Sequence, residues 1–135
     1  LVLPVAASLL RRVGSYEEAQ PAFEKTIRLN PNPLHWVWIE YAGTLIALEE
    51  YDQAKGLLKT ALNRQEAGTQ NTIVYMYLAA ISIFEEEIEE ASKHCNSAKE
   101  ITANFDLEKN LKAVSTTSDT AFYNSLTDAI RKACT

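Results

Sequence analysis

The chain has 135 residues, 47% of them hydrophobic and 23% charged, with a formal net charge of −5. These proportions describe an ordinary folded chain and exclude a disordered one, and no apolar run approaches the roughly 20 residues that cross a bilayer. The acidic balance disfavours nucleic acid and anionic lipid as partners.

Leu1 to Leu10 is apolar, but Pro4 interrupts it, Arg11 and Arg12 follow rather than precede it, and no Met begins it. It reads as the edge of a longer protein, not as a signal peptide. Gly14 ends this first helix, and Ser15 with Glu18 has the spacing of a capping box that opens the second. That helix is expected to run to about Leu29, with a kink at Pro21, which removes one backbone hydrogen bond. Asn30-Pro31-Asn32-Pro33 stops it. Helices then follow from about Leu34 to Leu48 and from Tyr51 to about Arg64. Gln65 to Asn71, with Gly68, makes a longer turn. Thr72 to Phe84 and Ile88 to Ala103 form another pair. Beyond Asn104, Leu107, Leu111 and Val114 make a short apolar stripe and Ser115 to Ser118 breaks it. Asp119 then caps a last helix carrying Phe122, Leu126 and Ile130.

The helices repeat as pairs. Tyr16, Ala19, Phe23 and Thr26 return 35 residues later as Tyr51, Ala54, Leu58 and Ala61, and after 37 more as Ile88, Ala91, Cys95 and Ala98. Leu3, Ala7 and Leu10 precede them, then Trp38, Ala42 and Leu45, then Tyr75, Ala79 and Ser82. Small residues at matching places let paired helices approach closely, while larger ones fill the layers between units. The expected architecture is all-α: three helix pairs over about 1–33, 34–68 and 69–103. A C-terminal pair over 104–135 is expected to shield the last apolar face.

This period, the small-residue positions and the stretch Gly14-Ser-Tyr-Glu-Glu-Ala-Gln-Pro-Ala-Phe-Glu-Lys-Thr-Ile-Arg-Leu-Asn-Pro31 resemble the tetratricopeptide repeat, from Leu1 to about Ala103. The third copy is looser, with Ile88, Cys95 and Lys99 in place of commoner choices. The resemblance implies a right-handed superhelix whose first helices line a concave groove for peptides or helices. Its groove-facing residues are Arg11 and Arg12 in the first pair, Trp36, Ile39, Glu40, Gly43 and Ile46 in the second, and Ile73, Met76, Tyr77, Ala80 and Ile83 in the third. Family members that clamp the carboxylate of chaperone tails use lysine, asparagine and arginine in such grooves. Here Pro4, Ser8, Gly43, Ile73 and Tyr77 hold those places, so the clamp is absent. The same stretch, with Asn104-Phe-Asp-Leu-Glu and Phe122-Tyr to Ile130-Arg-Lys-Ala133, looks like non-catalytic repeat segments at the C-terminal end of bacterial class III adenylate/guanylate cyclases. That likeness implies a signalling role.

Other clusters have plain readings. Cys95 and Cys134, without a C-x-x-C, are expected as reduced thiols in a cytoplasmic protein. His94 and Cys95 point about 100° apart on a helix and suit packing rather than metal or thiol chemistry. His35 is expected as an exposed helix start. Glu85, Glu86, Glu87, Glu89 and Glu90 suit a solvated helix start. Arg11, Arg12, Arg28, Arg131 and Lys132 are too dispersed for a nucleic-acid stripe. No phosphate-loop, nucleophile-elbow or metalloprotease motif occurs, so neither catalysis nor a cofactor or metal is expected. The expected function is a protein-interaction scaffold that holds an apolar peptide or helix in its groove. The alternatives are a regulatory segment of a cyclase or similar signalling protein, and a homodimerising module.

Overall fold

A computed structural model describes residues 2–64, 70–114 and 117–135. Among these residues the chain is an all-α helical repeat of eight helices: α1 Val2–Arg12, α2 Tyr16–Leu29, α3 His35–Ala47, α4 Tyr51–Leu62, α5 Gln70–Phe84, α6 Ile88–Ile101, α7 Leu107–Val114 and α8 Thr120–Ala133. Helices α1 and α2, α3 and α4, and α5 and α6 pack as pairs. Most of the turn expected at Gln65 to Asn71 lies outside the described residues, as do Ser115 and Thr116. Helix α5 starts at Gln70, two residues earlier than the sequence suggests.

The turn inside each pair is the same structure three times. Gly14, Glu49 and Glu86 have φ of 82°, 60° and 61°, and the amide of the residue after each reaches back to Leu10, Leu45 and Ser82 O at 2.8, 2.8 and 2.7 Å. This left-handed closure ties up the last carbonyls of the first helix. Only the first unit spends a glycine on it, so Glu49 and Glu86 carry a conformation that costs L-residues free energy.

Ala7, Ala19, Ala42, Ala54, Ala79 and Ala91 have no exposed surface, which is what lets each pair close. Between units, Phe23 of α2 stacks on Tyr41 of α3 with ring centroids 5.4 Å apart and planes 9° apart. Leu58 fills the same repeat position in α4, wholly buried. Burying each such side chain stabilises the fold by about 2–3 kcal/mol.

Three expectations need correction. The cysteines are not reduced: Cys95 in α6 and Cys134 after α8 form a disulfide, with Cα atoms 5.5 Å apart. The sulfurs meet because α8 returns across α5 and α6, a tertiary contact that a separation of 39 residues does not reveal. This removes the thiols as a ground for a reducing compartment. The capping box does not form: Ser15, at φ −84° and ψ 62°, lacks the extended backbone usual for a capping residue and makes no side-chain cap. His35 is buried, not exposed, with Nε2 3.2 Å from Ala61 O at the end of α4. Helix α2 runs unbroken through Pro21, and Asp119 caps α8 by accepting the Phe122 amide at 3.0 Å.

Candidate functional site

Repeat register places the candidate groove residues on α1, α3 and α5. The chain's own tail lies across much of this wall. Tyr77 donates its hydroxyl hydrogen bond to the carbonyl of Val114 at the end of α7. The Ser118 amide donates to Arg12 O at 2.7 Å. Phe122 meets Tyr16 edge-on at 5.6 Å, and Leu111, Val114, Leu126 and Ile130 join the core. Helix α8 thus starts beside the first unit and ends bonded to the third.

Ile39, Gly43, Ile46, Met76, Tyr77 and Ala80 are buried, and Ile73 and Ile83 are half-buried. Gly43 is needed where it stands: a Cβ there would lie 3.2 Å from the Tyr77 Oη. Burial, outweighing the opposing pull of Arg11, pushes the Tyr77 phenol up to about 12. Such a group neither ionises nor does acid–base work near neutrality.

Arg11 is also withdrawn from any partner. Its Nε and Nη2 lie 2.9 and 2.8 Å from Glu40 Oε1, and the Ser8 hydroxyl donates to the same carboxylate at 2.8 and 3.0 Å. The pair is largely buried, so it fixes α1 against α3 and leaves little net charge at the surface.

What stays open is the N-terminal end of the wall. Trp36 is half-buried between two cavities. One, of about 370 Å³, is lined by Val5, Ser8, Leu9, Arg12, Trp36 and Glu40. The other, of about 200 Å³, has Leu3, Pro4, Leu29 and Leu34 among its walls. Arg12 is exposed, and among the described residues no carboxylate pairs with it. Sequence reasoning found Arg12, Trp36 and Glu40 but missed Val5 and Leu9. Their signal is the apolar spacing of α1, which no carboxylate interrupts.

The remaining clusters stay structural. Glu85 reaches Lys55 of α4 at 2.9 Å, while Glu86, Glu87, Glu89 and Glu90 are exposed. His94 sits 3.7 Å from Glu90, and burial lowers its pKa despite that carboxylate. No helix among the described residues is long and apolar enough to cross a membrane. No curated protein and no solved structure matches the chain. Residues 10–68, from the end of α1 through α4, match the tetratricopeptide repeat family, whose repeats are in general protein–protein interaction modules.

Proposed function

We propose that this chain is a protein-interaction scaffold that receives its partner at the first helix pair, on the wall formed by α1 and Trp36. The observation that carries this is the contrast along one wall: Met76 and Tyr77 are buried, Tyr77 bonded to the tail at Val114, whereas Val5, Leu9, Arg12 and Trp36 surround an open cavity. An apolar wall with one aromatic anchor suits the greasy side of a peptide or helix. A photo-crosslinking residue in place of Leu34, exposed at the rim of the second cavity, should capture identifiable proteins from the source cells. The same residue in place of Ile101 on α6 should not. Trp36→Ala should remove the capture, and equal capture from both positions would sink the reading.

A second reading is that the covered part of the groove, from Ile39 and Gly43 to Ala80 and Ile83, takes a partner in place of the tail. It is favoured by the tail itself, an amphipathic helical segment already seated there. A chain ending at Asp106 should bind a peptide of residues 107–135, and failure to bind while still helical counts against it. The cyclase-linked regulatory role rests on the sequence likeness alone, and the gene sequence upstream of Leu1 tests it.

A further inference from the structure

The two ends of α8 are held differently. At its start the Ser118 amide donates to Arg12 O at 2.7 Å and Phe122 meets Tyr16 edge-on. Further along, its side-chain bonds stay inside the tail. Tyr123 Oη donates to Leu111 O at 3.3 Å, and Arg131 reaches Glu108 at 3.1 and 3.0 Å and Asp128 at 3.0 Å. Among the described residues no side-chain hydrogen bond or ion pair joins α8 to α5 or α6. Leu126 and Ile130 give apolar contact in the middle of the helix. At its far end Ala133 joins Ala79 and Ala91, with Ile83 beside them, and the Cys95–Cys134 bond follows at once.

Repeat register shows what that bond replaces. Phe23 and Leu58 hold the position of Cys95 in the first two units, both wholly buried, and Phe23 stacks on Tyr41 of the next unit. Cys95 brings less apolar area to the same layer, so a covalent link does there what bulk does elsewhere. Bulk is permanent, whereas a disulfide can be opened by thiol exchange. Cys95 is buried and Cys134 is half-buried at the end of α8, so Cys134 Sγ is the sulfur that an incoming thiolate reaches.

We propose that the Cys95–Cys134 bond is a thiol-operated latch on α8. Closed, it holds the C-terminal end of the helix on the third unit. Reduction by a dithiol frees that end, while the start of the helix stays moored to the first unit. One thiolate of the dithiol attacks Cys134 Sγ, the S–S bond breaks, and Cys95 leaves as a thiolate that takes up a proton. The second thiolate then attacks the reductant's own sulfur in the mixed disulfide. Cys134 is expelled and protonated, and the reductant closes its disulfide. Two electrons and two protons thus pass from the dithiol to the cysteines. The lifted end uncovers Ala79, Ile83 and Ala91, which gives the second reading above a control without resting on it. Amide exchange needs no partner, so the two fail separately.

The test is amide hydrogen exchange, read by NMR on the full chain, oxidised and in dithiothreitol. Reduction should speed exchange at residues 128–134 by about tenfold or more, with the gain fading toward Phe122, while α3 and α4 stay within about twofold. The paired Cys95→Ser and Cys134→Ser variant, its helicity checked by circular dichroism, should show the fast pattern with and without dithiothreitol. Glutathione, a monothiol, should be trapped by acid quenching on Cys134 and not on Cys95. Equal acceleration in α3 and α4 makes the bond a support of the whole fold and overturns the latch. Unchanged exchange in α8 after reduction overturns it too, as do cysteines that stay bonded in dithiothreitol while the chain is folded. A glutathione adduct on Cys95 overturns the route of entry.

Discussion

At the first unit the layer position that faces outward stands in solvent, with Leu9 56% exposed. At the other end of the stack the outer layer of the third unit, marked by Cys95, is 1% exposed beneath α8. The two end faces of the stack thus meet different fates among the described residues. The difference teaches that burial belongs to the neighbour rather than to the unit. Phe23 and Leu58 are core because another helix pair follows them, and Cys95 is core because a segment of unrelated sequence returns to cover it. Among the described residues one end of the stack is covered and the other stands in solvent, so the two ends differ in what holds them.

The comparison breaks most readily at the closed end. Leu126→Ala or Ile130→Ala should each destabilise by about 2–5 kcal/mol, because both side chains are wholly buried. Leu9→Ala at the open end should stay within about 0.5 kcal/mol. Urea unfolding with unchanged slopes measures both, and equal losses at the two ends would refute the asymmetry.

Removing the disulfide with paired Cys95→Ser and Cys134→Ser changes should cost about 2–4 kcal/mol, since the closed loop spans 39 residues. Reduction of the native chain should lower its unfolding midpoint, whereas a midpoint indifferent to reductant means the bond holds nothing.

The turns sharpen the comparison between units. Glu49→Gly and Glu86→Gly should each raise stability by about 1 kcal/mol, by giving the left-handed position the residue Gly14 already supplies. Gly14→Ala should lower it by a similar amount, and differential scanning calorimetry orders the three.

Titration gives the smallest effects at neutral pH. Burial pushes Tyr41 and Tyr77 up to about 12, so the folded chain keeps protons that the unfolded chain releases. Stability is intact below pH 10 and falls as pH rises from there toward 12. His94 works in the opposite direction. Burial lowers its pKa from 6.5, so the unfolded chain binds that proton more readily, and stability present above pH 6.5 declines as pH falls below it. His94→Gln should flatten the acid limb of a midpoint-against-pH curve by a small margin, and an unchanged limb would remove His94 from the account.

The repeat was legible because its causes are local. Alanines at fixed spacing, the punctuation around Gly14 and Pro31, and the Asp119 cap are all written within a few residues of the structure they make. The Cys95–Cys134 bond and the burial of His35 were not, since each depends on a helix 26 or more residues away. The groove residues follow from register, but whether they face solvent depends on where residues 107–133 go. No period predicts that, because the tail does not share the repeat. The glutamates at 49 and 86 hid the left-handed turns, since glutamate is no cue for such a backbone.

Helix α8 has a consequence for how the molecule comes apart. In an ordinary repeat array each unit touches only its neighbours, so ends can fray independently and stability adds along a line. Here the Ser118 amide holds Arg12 O, Phe122 holds Tyr16, and Cys134 is bonded to Cys95, so units one and three share a brace that bypasses unit two. Opening either end loads the other. The line becomes a loop, and amide exchange in α2 and α6 should report one cooperative event instead of two.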